Sequence, residues 1–166
     1  MYGALALLSA LAFQDAPKWD ELRSEAGNFI IWLPVKADYE AKETEFNGAT
    51  LKLHQFIATG ETMRYAVIYT DYDMSVTSAS DDDRINAERD SFMKGLDGKL
   101  DKEKKLTLSK NPGRACFVST DSLKIETRIY LVKNRVYMTM ALGEKEKYDE
   151  SAARKALDSF KLIDEK

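Results

Sequence analysis

The sequence contains few of the residues that build most catalytic and metal centres. Its 166 residues include one cysteine, Cys116, and one histidine, His54. A single thiol forms no internal disulfide, and these two residues alone cannot complete a typical zinc site. The chain also has no glycine-rich loop of the kind that cradles phosphate groups. We therefore expect no metal and no cofactor.

The same scarcity limits nucleophilic catalysis, which needs a Cys or Ser activated by a base. Cys116 shares an apolar, strand-like segment with Val118, which favours a small buried side chain over a reactive thiolate. His54 falls in an alternating segment and is interpreted as a surface residue of a strand. Paired carboxylates stay open as an alternative, but no pair stands out among the 28 acidic residues. We predict a non-enzymatic protein and assign no catalytic, cofactor-binding or metal-binding residues.

The sequence also lacks a large excess of charge of one sign. Lys and Arg number 25 against 28 Asp and Glu, a formal net charge of -3. A nucleic-acid binder neutralises phosphates with an excess of basic residues, so we expect no nucleic-acid partner. The most basic stretch, residues 99–105, interleaves lysines with Asp101 and Glu103. This pattern favours a solvated loop, with a basic contact patch as the alternative.

An acidic segment raises the possibility of a calcium loop. Asp71, Asp73 and Ser75 are followed by three successive aspartates at 81–83. An EF-hand loop starting at Asp71 would place Val76 where glycine is needed and Asp82 where a bidentate Glu is usual. Residues 81–83 are better interpreted as the acidic first turn of a helix, which the helix dipole favours.

The first thirteen residues carry no charged side chain. The apolar run from Gly3 to Phe13 is too short to span a bilayer and has the length of a signal-peptide core. Small residues at Ala10 and Ala12 predict cleavage after Ala12. We predict a signal peptide at 1–12 and a single α+β domain at 13–166, periplasmic or secreted, with no integral membrane span in the mature chain. An apolar N-terminal helix is the alternative.

The mature chain predicts mostly antiparallel strands. Asn47 and Gly48 tolerate the positive φ angles of a tight hairpin turn, and an alternating pattern follows them. A strand that is apolar on both faces comes next and should lie inside a sheet. The predicted strands of this half are 19–23, 28–33, 39–46, 50–58 and 64–72.

Two segments have helical periodicity. Residues 81–96 repeat apolar side chains on one helical face, and Ser80 with Asp83 forms a capping signal. Ala153, Ala156, Leu157 and Phe160 define a second helix, with Asp149 or Ser151 as N-cap. Between them lie predicted strands at 106–108, 114–120, 124–132 and 135–142, with turns at 111–113 and 133–134. This order predicts an α+β fold in which helices cover an antiparallel sheet, as an α/β/α sandwich.

The arrangement resembles the PsbP-like domain. The resemblance rests on Trp19, on the segment Gly27-Asn28-Phe29-Ile30-Ile31-Trp32-Leu33-Pro34 and on Pro112-Gly113-Arg114. It also uses the stretch from Arg128 to Tyr137 and Asp158-Ser159-Phe160. Proteins of this shape serve as binding or accessory subunits with varied partners, so the resemblance implies a fold more than a function.

These observations favour an exported binding or accessory module of the cell envelope with a protein partner. A small-ligand carrier or small hydrolase with a pocket on the sheet face is the alternative, and a cavity lined by unpaired polar groups would favour it. Tyr65, Tyr69, Tyr130 and Tyr137 are interpreted as cross-strand core packing, or alternatively as a binding face. The sequence does not predict the oligomeric state.

Overall fold

The computed structural model describes residues 18–46, 49–72 and 79–163. Within these ranges the chain forms ten strands and two helices, in the order listed next. They are β1 (Asp20–Ser24), β2 (Phe29–Leu33), β3 (Asp38–Phe46), β4 (Ala49–Thr59), β5 (Met63–Asp71), α1 (Asp81–Leu96), β6 (Lys99–Leu108), β7 (Asn111–Ser119), β8 (Leu123–Val132), β9 (Arg135–Glu144), α2 (Glu150–Asp158) and β10 (Lys161–Leu162).

The strands form two sheets in which every pair is antiparallel. The large sheet has the order β3-β4-β5-β9-β8-β7-β6, and the small sheet has the order β1-β2-β10. Two hairpin-rich halves of the large sheet therefore join where β5 pairs with β9. The last strand returns to the start of the chain, where Leu162 pairs with Phe29.

The two faces of the large sheet are both apolar because its central strands alternate between two cores. On β9, Val136, Met138 and Met140 pack with α1, whereas Tyr137 and Ala141 pack with α2 and the small sheet. We call these sides the α1 face and the α2 face. The α+β class is confirmed, and β5 lies inside the sheet as predicted.

The predicted α/β/α sandwich differs from the observed arrangement in one of its outer layers. The α1 face carries one helix, but the layer on the α2 face combines α2 with the three-stranded sheet. The strands of the short hairpin β1–β2 were predicted at 19–23 and 28–33, but their position in a separate covering layer was not. Nothing in the local pattern of residues 20–33 distinguishes an added sheet from an extension of the main one.

The helix limits follow from their capping residues. Ser80 Oγ accepts a hydrogen bond from the Asp83 amide at 3.2 Å, and Asp149 accepts one from the Ala152 amide at 2.9 Å. Each bond satisfies an amide that has no partner inside its own helix. Both predicted helices are confirmed, and Asp149 is the N-cap of the second. Neither helix in the described ranges is long and apolar enough to cross a membrane.

The stretch 99–105 is a strand and not the solvated loop that its charges indicated. It forms most of β6, an edge strand of the large sheet, with a register shift between Leu100 and Lys102. The shift breaks the two-residue period, and charged side chains are common on edge strands because they prevent pairing with other chains. Both features removed the strand signal from the sequence.

The predicted turn at 111–113 is also wrong, because these residues begin β7. The turn lies at Ser109 and Lys110, which have φ angles of 47° and 72°. Two successive positive φ angles are typical of a two-residue hairpin turn. Serine and lysine are not the residues that usually indicate such a turn in a sequence. The turn at Lys133 and Asn134 is confirmed, with φ of 57° at Lys133. Residues 47–48 and the predicted signal peptide at 1–12 lie outside the described residues, so both stay predictions.

Two glycines give opposite predictions for the same substitution. A Cβ atom at Gly113 would lie 2.5 Å from Tyr130 Cδ1 and 2.8 Å from the Ile129 carbonyl oxygen. A Cβ atom at Gly95, on α1, would meet nothing within 4 Å. We expect Gly113→Ala to lower the free energy of unfolding by about 1–3 kcal/mol and Gly95→Ala to raise it by about 1 kcal/mol.

Urea denaturation of the two variants beside the wild type measures both effects. Equal stability of the two alanine variants would contradict the packing described around β7 and β8.

Candidate functional site

A groove of about 370 Å³ lies between α1 and the open part of the α1 face. The helix packs over β7 and β8, so it leaves the portion formed by β4, β5 and β9 beside it uncovered. Most of the lining side chains are apolar. The lining residues are Leu53, Ile68, Thr70, Tyr72, Glu88, Ser91, Phe92, Gly95, Leu96, Val136 and Met138.

The helix side of the groove follows from residue spacing. Glu88, Phe92, Gly95 and Leu96 recur every three or four residues and therefore share one side of α1. Gly95 leaves open space at this side, since no heavy atom lies within 4 Å of where its Cβ would be. The absence of a side chain there keeps part of the groove free.

Among the described residues that line the groove, Glu88 is the one that is acidic or basic. The Tyr72 hydroxyl donates a hydrogen bond to Glu88 Oε1. The second oxygen, Oε2, has no hydrogen-bond partner among the described residues. Tyr72 is held in place by its own backbone, because its amide donates to the Asn134 carbonyl at 2.8 Å. The Asn134 side chain donates in return to the Tyr72 carbonyl at 3.3 Å.

Burial sets the protonation of this pair. Desolvation raises the pKa of Glu88, while the Tyr72 hydrogen bond and the nearby Arg84 charge act in the opposite direction. Burial and the contact with Glu88 also raise the pKa of Tyr72, which keeps its proton at neutral pH. The mostly apolar groove therefore contains one carboxyl group, that of Glu88, with the Tyr72 hydroxyl as a hydrogen-bond donor on one side of it.

In the described part of the chain, two polar atoms near the groove are buried without a hydrogen-bond partner. They are Thr70 Oγ1, on the sheet side, and Arg84 Nη2, on α1. The other terminal nitrogen of Arg84, Nη1, donates to the Lys133 carbonyl at 3.4 Å. A buried hydroxyl without a partner lowers stability, so the Thr70 hydroxyl reduces the free energy of unfolding.

The structure keeps Cys116 and His54 apart. Cys116 is fully buried on the α1 face, and burial raises its pKa to about 11. His54 stacks on Tyr69, a residue of the α2 face, with ring centres 4.4 Å apart. The two side chains thus lie on opposite faces of the large sheet. The interpretation of Cys116 as a buried structural residue is confirmed.

His54 belongs to a small aromatic group at the β3 edge. Its Nδ1 atom lies 2.8 Å from the Tyr39 hydroxyl, and Tyr39 is 55% exposed. Desolvation, Lys52 and Arg135 together lower the His54 pKa, so the ring is neutral at pH 7. In this state Nδ1 accepts a hydrogen bond from the Tyr39 hydroxyl when the other ring nitrogen carries the hydrogen.

The residues considered for calcium are used in other contacts. Asp71 accepts two hydrogen bonds from Arg135, at 2.6 and 2.7 Å. Asp82 pairs with Lys105 at 3.1 Å and with Arg114 at 3.3 Å. Residues 73 and 75 lie outside the described ranges. Within those ranges, no group of three metal-ligating side chains comes together.

The four tyrosines considered for a binding face are core residues. Tyr65, Tyr69, Tyr130 and Tyr137 are each less than 5% exposed on the α2 face. The Tyr137 hydroxyl, for example, donates to the Gly27 carbonyl at 2.7 Å and so links β9 to the small sheet. Cross-strand core packing is confirmed for this set.

Sequence analysis did not identify Glu88, Tyr72 or Thr70. A signal for Glu88 was present, because it lies three residues after Ile85 and four before Phe92, on the apolar side of α1. A carboxylate at such a position is buried unless the helix face is open. Thr70 and Tyr72 gave no comparable signal, because a threonine and a tyrosine are ordinary residues in a strand.

Comparison with solved structures identifies the fold. The solution structure of cyanobacterial PsbP (CyanoP) from Synechocystis sp. PCC 6803 superimposes with a TM-score of 0.60. The match covers 93% of this chain and 98% of that chain at 9% sequence identity. This chain therefore has a PsbP-like fold, as the resemblance implied.

A second structure is similar over a smaller part of the chain. The crystal structure of PA94 from Pseudomonas aeruginosa, a protein of unknown function and putative regulator, has a TM-score of 0.43 and 15% identity. It covers 64% of this chain and 85% of that chain. No protein-family model matches the sequence, and no curated protein matches it.

The unpartnered Thr70 hydroxyl predicts a stabilising substitution. We expect Thr70→Val to raise the free energy of unfolding by about 1 kcal/mol, since it removes a buried polar atom that has no partner. Thr127→Val is the matched control, because Thr127 Oγ1 donates to the Thr139 carbonyl at 3.1 Å. Its loss should lower stability by about 1 kcal/mol. Denaturant titration measures both, and a destabilised Thr70→Val protein would contradict the description of Thr70.

The raised pKa of Glu88 predicts a pH-dependent stability difference. As the pH rises above 4.5, the ordinary value, the unfolded chain releases the Glu88 proton before the folded protein does. The charged form is disfavoured in the fold, so this group lowers stability with rising pH and the loss persists at neutral pH. Glu88→Gln removes the effect and keeps an oxygen that accepts from Tyr72.

We therefore expect Glu88→Gln to gain stability relative to the wild type between about pH 4 and about pH 7.5. The other carboxylates are common to both proteins and cancel in the difference. The same substitution at the exposed Glu146 is the control. Urea titrations at the two pH values provide the comparison, and a difference that does not change with pH would contradict the pKa shift.

Proposed function

We propose that this protein is a non-enzymatic binding module that holds a small, largely apolar ligand in the groove beside α1. One observation carries the proposal: the α1 face is left open next to its helix, where apolar walls surround the half-buried carboxyl of Glu88. Small-molecule sites commonly have this composition, with few polar groups in an apolar pocket of about 300–1,000 Å³. The groove lies at the small end of that range.

The groove supports ligand binding over a chemical step. Its two titratable side chains, Glu88 and Tyr72, are hydrogen-bonded to each other, and Tyr72 keeps its proton at neutral pH. A general acid or base works best when its pKa lies near the working pH and its proton is free to move to a substrate. The Tyr72 hydroxyl donates its hydrogen bond to Glu88, so its proton is not free to move to a substrate.

The proposal includes export to the cell envelope, for which the apolar segment 1–12 is the support. An envelope protein partner is the second candidate function, in place of a small ligand. The exposed aromatic side chains Trp32 and Tyr39, at 40% and 55%, favour it. Loss of a co-purified envelope protein on Tyr39→Ser substitution, with the groove intact, would support this candidate.

Filling the groove tests the small-ligand function. N-phenyl-1-naphthylamine is a neutral apolar probe whose fluorescence rises when it leaves water. We expect saturable binding to the wild-type protein and at least about tenfold weaker binding to Gly95→Phe, whose ring would occupy the open space at residue 95.

Ala87→Phe is the matched control, because Ala87 is exposed on the same helix and does not line the groove. It should bind the probe as the wild type does. Equal affinities for the Gly95→Phe and Ala87→Phe proteins would show that the probe binds elsewhere, and the proposed function would then be wrong.

A further inference from the structure

We propose that the ligand of the groove carries a hydrogen-bond donor, a hydroxyl or an ammonium group, that binds Glu88 Oε2. Molecules that end in a carboxylate are excluded by the same residue. This inference rests on the proposed function and adds the chemical class of the ligand to it.

One oxygen of the Glu88 carboxyl group is hydrogen-bonded within the protein and the other is open to a ligand. The Tyr72 hydroxyl takes Oε1, and no described residue donates to Oε2. An ionised carboxyl group has only acceptor sites, so a ligand atom that binds Oε2 has to donate a proton. Glu88 is partly exposed in the groove lining, so its carboxyl group is open to a ligand there.

Hydrogen bonds hold the Glu88 carboxyl group in a fixed position. Tyr72 is held at its backbone by two hydrogen bonds with Asn134, and its hydroxyl fixes Glu88 Oε1. A side chain that is already fixed loses little conformational entropy when a ligand binds. The free oxygen is thus presented in one orientation before the ligand arrives.

The rest of the groove surface is apolar on both of its sides. Ile68, Val136 and Met138 form the sheet side of the groove, and Phe92 and Leu96 form the helix side. This surface binds an apolar body by removing it from water, and it offers no second charge. The complete ligand therefore has an apolar body and one donor at the end that meets Glu88.

The exclusion of anions follows from charge. Two negative groups in contact repel strongly where water is partly excluded. Arg84 lies one helical turn before Glu88 and partly offsets its charge. However, Arg84 does not line the groove, and its Nη1 atom is directed to the Lys133 carbonyl. Among the described lining residues, a ligand carboxylate would meet Glu88 and no cation.

A series of naphthalene derivatives tests the ligand class at neutral pH by isothermal titration calorimetry. The probes are 2-naphthol, 1-naphthylmethylamine, 2-methoxynaphthalene and 2-naphthoate. They share the apolar body and differ in the terminal group: a neutral donor, a cationic donor, no donor and an anion. We expect 2-naphthol or the amine to bind at least about tenfold more tightly than 2-methoxynaphthalene, and 2-naphthoate to bind most weakly.

Two variants assign the preference to Glu88. In Glu88→Leu the donor preference should disappear while the affinity for 2-methoxynaphthalene is kept, which also shows that the groove is folded. In Glu88→Gln the amide oxygen stays with the Tyr72 hydroxyl and an NH2 group, which only donates, takes the place of Oε2. The preference for a donor and the exclusion of 2-naphthoate should therefore both be lost. Ala87→Phe should reproduce every wild-type affinity.

The failures of the two proposals are distinguishable. Equal binding of 2-naphthol, the amine and 2-methoxynaphthalene, all sensitive to Gly95→Phe, would overturn the ligand class and leave the binding function standing. Tightest binding of 2-naphthoate would have the same meaning. If no naphthalene derivative binds, both the binding function at this groove and the inference built on it are wrong.

Discussion

The structure depends on one constraint: the central strands of the large sheet are apolar on both faces, so each face has to be covered. On the α2 face, a helix and a three-stranded sheet share this task and bury the tyrosines of β5, β8 and β9. On the α1 face, a single helix is available within the described residues. A helix is about 10 Å wide and strands lie about 4.8 Å apart, so one helix covers about two strands. The sheet has seven.

The groove is a consequence of this uneven cover. Because α1 packs over β7 and β8, the apolar side chains of β4, β5 and β9 form a surface beside it that neither described helix covers. Two polar features in this region are costly in free energy: the burial of Glu88 and the unpartnered hydroxyl of Thr70. Functional sites often retain groups of this kind that a well-packed core would replace.

The sequence predicted the local elements better than their arrangement. Helix α1 was predicted with its observed limits because its cap and its apolar period agree, and the β8–β9 hairpin followed from two clear alternating strands. The first part of β6, residues 99–105, was missed because its register shift and its charges hide the pattern. The pairing of β5 with β9 joins residues far apart in the chain, and no local pattern encodes such a contact. The groove was missed for the same reason, since Thr70, Glu88 and Met138 meet only after β5, α1 and β9 are assembled.

The PsbP-like fold describes the course of the backbone, because the matched structure is only 9% identical to this chain. It does not fix which side chains face the groove. In this chain a glycine keeps part of the space open, and a tyrosine held by Asn134 orients one carboxyl oxygen. The fold supplies the position of the groove, and residues 72, 88 and 95 supply its chemistry. Binding specificity therefore has to be argued from these residues, because a different set on the same fold would select a different ligand.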